Sequence, residues 1–330
     1  MQPLIRRRQA LRLGIATAAG LTGLAAFPAI AQSGGWRPDR PIRLLVGFAP
    51  GGSSDTVARL IAPKLGELLG QTVVVENRAG AGGALAADAV AKAPGDGLTW
   101  LLAPSGHSTM AAMRKSLPFR PVADFAWTST VTTYPMVAAV APSSPLRTMA
   151  DVIDTARKRP LSFSSVGVGT AHHLLGEWIN ADQNIQMLHV PFKGGTMAAT
   201  EVIAGRVDLQ IETMTAALPF VQSGQLRAIA VSSAAPVSVL PGVPTMSATI
   251  PSLQYDSWLG VTLPGSTPPA IVNSVNAALR TALADPAVAK RLADLGGGAA
   301  PSSPEAFRAR VEREIARFNQ IVDSRRMERE

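Results

Sequence analysis

Ile42-Arg43-Leu44-Leu45-Val46-Gly47-Phe48-Ala49-Pro50-Gly51-Gly52-Ser53-Ser54-Asp55 is an apolar run that breaks through glycines into hydroxylic residues and an acid. The apolar part, 42–48, predicts a buried strand, and the amphipathic stretch 54–69 predicts a helix that starts at the serines. A strand that opens through glycine into a helix start gathers unpaired backbone N–H groups at the positive end of the helix, a seat for an anion. The same residues also make an ordinary strand-to-helix turn with serine caps, and on this stretch alone both readings stand.

The pattern repeats along the chain. Strands are expected at 72–76 and 99–103 with a helix at 81–93 between them. Pro63 removes a backbone bond inside the first helix and predicts a kink there, and Gly70 is placed to end that helix. Beyond Pro118, the apolar run 131–140 reads as a strand crossing into a second lobe. There, helices expected at 149–158, 171–181, 197–204 and 216–223 alternate with strands at 161–164, 187–190, 207–211 and 226–231. The apolar 255–263 reads as the return crossing, and a helical tail shows starts at Pro268-Pro269, Asp285-Pro286 and Ser303-Pro304-Glu305. This alternation predicts an α/β protein of two lobes joined by two crossing segments, lobe 1 from 36–130 plus 257–330 and lobe 2 from 131–256. The crevice between the lobes is where ligand is expected.

Residues 1–31 read as a leader rather than as part of the fold. Arg6, Arg7 and Arg8 precede an Ala/Gly-rich apolar stretch that ends at Ala29-Ile30-Ala31, the pattern of a cleaved export signal. Arg7-Arg8-Gln9-Ala10-Leu11-Arg12 favours the twin-arginine route, which exports folded proteins, over the general one. The mature product is expected in the periplasm, with no membrane span after cleavage. The leader carries four of the cations behind the formal net charge of +8, and the rest are interleaved with acids, as in Glu312-Arg313-Glu314. That pattern is a solvated helix face and speaks against nucleic acid. With no Cys, disulfides and thiolate metal sites are excluded.

Several motifs together resemble a known family. Pro41-Ile42-Arg43, Phe48-Ala49-Pro50-Gly51-Gly52 with Asp55, Val75-Glu76-Asn77-Arg78-Ala79-Gly80, Val190-Pro191-Phe192-Lys193-Gly194-Gly195 and Leu240-Pro241-Gly242-Val243-Pro244-Thr245 are similar, in order and spacing, to the Bug family. These are periplasmic solute receptors of tripartite tricarboxylate transporters. The resemblance implies a type II periplasmic-binding-protein fold, a small organic carboxylate bound between two lobes, and membrane permease subunits as partners. It implies no cofactor and no metal, and a monomer is expected.

Loops at the carboxyl ends of parallel strands face the crevice, so 49–55, 104–109, 164–172, 192–196 and 212–215 are expected to meet there. The candidate ligand-binding residues are Ala49, Gly51, Gly52, Ser53, Ser54, Ser105, His107, Ser165, Gly167, Gly169, Thr170, Lys193, Gly194, Gly195 and Glu212. Asp55 is expected to cap its helix or to pair with Arg59. His107 could donate to a carboxylate or serve structure alone, and Lys193 could face ligand or solvent. Family members carry a His that aligns with His173, which leaves His172 as an extra. They often show Asp followed by Asn where this chain has Glu212-Thr213-Met214, so ligand identity does not carry over from relatives.

Gly80-Ala81-Gly82-Gly83 opens a helix after a strand as a dinucleotide-binding enzyme would, but the acid such an enzyme needs is replaced by Ala103-Pro104-Ser105. No Gly-x-Ser-x-Gly frame surrounds Ser53 or Ser165, and the four His lack ligand spacing, so hydrolysis and metal chemistry are not indicated. A receptor that presents the same closed lobes to a membrane signalling kinase is not separated from a transport receptor by sequence.

Overall fold

The computed structural model describes residues 36–329. The expected leader lies outside the described residues. One half of the molecule begins with β1 (Ile42–Val46), α1 (Ser53–Leu69), β2 (Val73–Asn77), α2 (Ala84–Ala91), β3 (Thr99–Pro104) and α3 (Gly106–Met113). The long β4 (Phe125–Val140) leads into α4 (Met149–Ala156), β5 (Ser162–Ser165), α5 (Ala171–Gln183), β6 (Leu188–Pro191), α6 (Gly195–Ile203), β7 (Leu209–Thr213), α7 (Met214–Gln222) and β8 (Arg227–Val231). β9 (Asp256–Pro264) returns, followed by α8 (Pro269–Ala284), α9 (Pro286–Asp294), β10 (Gly298–Ala299) and α10 (Pro304–Ser324).

The strands follow the order β2-β1-β3-β9-β4-β7-β5-β6. β1 pairs in parallel with β2 and β3, and β5 pairs in parallel with β6 and β7. The join is antiparallel. β4 runs beside β9 from Phe125 opposite Pro264 to Pro135 opposite Asp256, then pairs with β7 from Met136 and with β8 from Val137. Thus β4 and β9 are the two crossing segments, and the fold is the type II arrangement of two α/β lobes. Register shifts between Trp127 and Ser129 and between Thr130 and Thr132 put bulges in β4, which let so long a strand bend from one sheet into the next.

Local chemistry explains the element ends. β1 and β3 are apolar and almost wholly buried because helices cover both faces of a parallel sheet. Gly70 closes α1 in the left-handed region at φ 71°, its N–H donating to Gly66 O at 3.0 Å. Thr148 and Asp151 form a reciprocal capping box on α4, while Asp285 and Ser303 cap α9 and α10. The kink expected at Pro63 does not interrupt α1, which continues through it as one helix.

The hydrophobic interior continues across the crossing strands from one lobe to the other. Val131, Tyr134 and Val137 of β4 join a core that also takes in Leu44, Ile61 and Leu279 as well as Met214 and Leu218. α10 likewise buries Phe307 and Val311 in one cluster and Phe318, Ile321 and Val322 in another with Trp178 and Ile179. One packing detail fixes how close α5 lies on its sheet. A Cβ on Gly176 would stand 2.1 Å from Cε2 of Phe163, a side chain with no exposure. Gly176→Ala is therefore expected to lower stability by about 1–3 kcal/mol through overpacking, roughly 5 °C in Tm by calorimetry. Gly298→Ala, where the added methyl meets nothing within 4 Å, should leave Tm unchanged.

Candidate functional site

The turns that follow five parallel or crossing strands converge on one enclosed cleft. Gly52, Ser53 and Ser54 come from the β1–α1 turn, Ser105 and Gly106 from β3–α3, and Thr170, Ala171 and His172 from β5–α5. Gly194 and Gly195 come from β6–α6 and Glu212 and Thr213 from β7–α7, with Tyr134 and Ser257 of the crossing strands at the base. The cleft holds about 480 Å³ between atoms, yet the centre of a water molecule has only about 40 Å³ in which to move. It is a slot, not a chamber.

Helix starts dominate its polarity. α1, α3 and α6 begin at Gly52, Ser105 and Gly194 with no described side chain capping them. The first N–H groups of α1 and α6 have no partner within the helix and stand at its positive end, whereas at α3 Ser108 N donates to Ser105 O at 3.0 Å and Ser105 N to Trp258 O at 2.9 Å. α5 differs, since Thr170 Oγ1 accepts from His173 N at 3.5 Å. Around these ends lie hydroxyls: Ser53 Oγ is 3.3 Å from Tyr134 Oη, and Ser105 Oγ is 2.7 Å from Ser257 Oγ. Burial pushes the Tyr134 phenol up to about 12, so it stays a neutral donor.

Other residues expected at the site are used elsewhere. Gly51 N donates to Asp55 Oδ2 at 3.0 Å, and Asp55 also accepts from Arg59 Nε at 3.0 Å and Asn77 Nδ2 at 2.9 Å. Burial opposes ionisation of Asp55, but the hydrogen bonds from Arg59, Gly51 and Asn77 outweigh it and hold the carboxyl below its ordinary value. Asp55 thus both closes the turn and pairs with Arg59. Ala49 N donates to Lys193 O at 3.5 Å, and the Lys193 side chain is exposed at the outer mouth of the cleft. The loop that carries Lys193 directs its carbonyl, not its ammonium, toward the opposite lobe.

His107 lies among aromatic rings and does not line the cleft. The segment 105–109 forms the start of α3, and this rotation buries the imidazole, with its ring centroid 4.8 Å from that of Phe125 and 5.3 Å from that of Trp127. Its Nε2 bonds Pro121 O at 2.7 Å, and burial brings its pKa down to about 4 despite that carbonyl. In the β5–α5 turn, Ser165 Oγ bonds His189 Nε2 at 2.5 Å and accepts from Gly167 N at 3.0 Å. Gly169 N donates to His173 Nδ1 at 3.2 Å, and Gly169 O accepts from Thr109 Oγ1 at 2.6 Å. Ser165, Gly167 and Gly169 therefore shape the turn and tie it to the other lobe, and of this group only Thr170 lines the cleft.

The cleft also holds residues that were not anticipated. His172, not His173, faces it, with Nε2 2.9 Å from Glu212 Oε1. The same oxygen accepts from Thr213 N at 2.8 Å and Thr213 Oγ1 at 3.0 Å. A buried acid without a sequence-adjacent cation needs a partner, and His172 lay one helix start away. Tyr134 and Ser257 were hidden inside apolar runs. Among the described residues no group of three or more His, Asp or Glu is placed to hold a metal ion, and no helix is long and apolar enough to cross a membrane.

Fold and cleft define a two-lobed solute-binding protein of the periplasmic class. The family described as tripartite tricarboxylate transporter family receptor matches residues 57–327. A protein from Pseudomonas sp. strain P51, described as the UPF0065 protein in the tcbD-tcbE intergenic region, is 36% identical over 289 residues, covering 86% of each chain. The structure of periplasmic binding protein BugD superposes with a TM-score of 0.85 at 30% identity, covering 89% of this chain and all of that one. An R. palustris protein solved with adipate gives 0.84 at 32% identity, covering 87% and 98% of the two chains. MatC from Rhodopseudomonas palustris with bound malate gives 0.82 at 31%, covering 86% and 99%. The chain belongs to the tripartite tricarboxylate transporter receptor family, also called Bug.

Proposed function

We propose that this receptor binds a small, slender organic carboxylate in the cleft, with the carboxylate on the lobe 1 helix starts at Gly52–Ser54 and Ser105–Gly106. The observation that carries this reading is that α1 and α3 both open, uncapped, into one narrow cavity. Relatives solved with adipate and malate support the ligand class. Magnitudes explain why both lobes are needed: a helix end contributes about 0.3–2 kcal/mol, a charged hydrogen bond about 1.5–3, and micromolar affinity requires about 8. One turn on one lobe falls short. Two lobes closing on a ligand also exclude water, which strengthens each contact.

The wider reading follows from the family. After export and cleavage near Ala31, the protein works as a monomer that delivers its ligand to membrane permease subunits, without chemical turnover. A thermal-shift series of mono- and dicarboxylates tests the central claim. A ligand at about 100 times its Kd should add roughly 2.7 kcal/mol, a rise of roughly 5–10 °C in Tm. Stabilisation by neutral sugars or cationic amino acids, with none by any carboxylate, would overturn it.

A further inference from the structure

Glu212 is itself a carboxylate in a cleft built for carboxylates, and it sits on one of the helix ends. A Cβ on Gly195 would stand 2.2 Å from Glu212 Oε2, so the acid lies directly against the head of α6. Its other oxygen takes three donors, from His172 Nε2, Thr213 N and Thr213 Oγ1. Glu212 is 3% exposed and Gly195 has no room for a side chain, so Oε2 of this acid occupies the space beside the start of α6.

His172 completes the pattern. It is 7% exposed, it borders the cleft, and its Nδ1 has no hydrogen-bond partner among the described residues. A carboxylate can only accept, so Nε2 of His172 carries the proton shared with Glu212 Oε1. Lobe 2 thus sets a carboxylate, Glu212, at the cleft beside the head of α6, and a carboxylate can only accept hydrogen bonds.

We infer that the ligand carries one carboxylate, held by lobe 1, and at its other end a hydrogen-bond donor, a hydroxyl or an ammonium, that meets Glu212. This inference rests on the carboxylate reading above and narrows it. A second ligand carboxylate would enter a narrow slot beside a like charge, a repulsive element that selects against dicarboxylates. A hydroxyl or ammonium there donates to the Glu212 carboxylate instead.

Calorimetric titration with three matched series decides the matter: succinate, γ-hydroxybutyrate, γ-aminobutyrate and butyrate, then the corresponding sets based on glutarate and on adipate. At the chain length that binds best, the hydroxy or amino acid should bind at least about tenfold tighter than the dicarboxylate, and whichever of the two wins identifies the donor. Glu212→Gln, nearly isosteric, should shrink that ratio at least about tenfold by admitting the dicarboxylate. A dicarboxylate that binds tightest to the unaltered protein, or a plain monocarboxylate that matches the hydroxy and amino acids, overturns the inference and leaves the carboxylate reading standing. Failure of every acid to bind removes both.

Discussion

Taking the protein from pH 7 to pH 5 is expected to cost about 2 kcal/mol of folding stability for each of the buried His107 and His173, and less for the half-buried His189, whose exposed part water screens. Burial lowers the pKa of His107 to about 4, and of His189 to about 4. Burial and then the neighbouring charge of His189 lower that of His173 to about 3, the two rings being stacked with centroids 3.9 Å apart. In the unfolded chain each titrates near its ordinary value of about 6.5. As the pH falls through that value the unfolded state takes up protons that the folded state refuses, so stability is complete above it and declines until the folded values are reached. Asp256, whose carboxyl burial pushes up, works in the opposite direction, but it is one group against three. A combined loss of about 4–6 kcal/mol is large against a total of about 5–15. Urea unfolding at the two pH values should show the midpoint fall steeply at pH 5, and His107→Phe, in a cage of Phe119, Phe125 and Trp127, should flatten part of that slope. Equal midpoints at both pH values would remove the argument.

Much of this molecule could be read from its residues because local and global preferences agree. Ile42–Val46 into Ser53–Leu69 is strand, glycine turn and amphipathic helix, and it folds so. The crossing strands were also legible as apolar runs, although β4 begins earlier than expected, at Phe125, where Thr128-Ser129-Thr130 interrupts the apolar pattern. The misses have physical causes. Ser105-Gly106-His107-Ser108 has poor helix propensity, and α3 forms because Met110, Ala112 and Met113 are buried by tertiary packing. His172 and His173 differ by one position, which on a helix is a turn of about 100°, enough to send one ring into the cleft and the other onto His189. Pattern alone cannot tell which. Lys193 shows the same limit for loops, where the direction of a side chain depends on the partner across the cleft and not on the glycines beside it.

Gly82→Ala is expected to weaken ligand binding about ten- to hundredfold while leaving the separate lobes folded. Gly82 lies at φ 65°, and a Cβ there would stand 2.5 Å from Val168 O, a backbone atom of the other lobe. Gly167 approaches from that side too, since its own Cβ would be 3.3 Å from Gly82 Cα, and the Arg114 guanidinium donates to Ala81 O at 3.1 Å and Val168 O at 3.5 Å. The glycines of 80–83 that mimic a dinucleotide fingerprint thus serve a close approach of two backbones at the mouth of the cleft. An added methyl clashes only when the lobes meet, so its cost of roughly 1–3 kcal/mol falls on closure and is read in Kd. The positive φ adds a separate penalty that acts whether or not ligand is bound. Gly205→Ala isolates that penalty, because Gly205 has φ 72° and nothing lies within 4 Å of its added methyl. Both variants should lose a similar amount of Tm without ligand, and only Gly82→Ala should lose affinity. If Gly82→Ala binds as tightly as the unaltered protein, the contact between Gly82 and Val168 is not part of ligand capture.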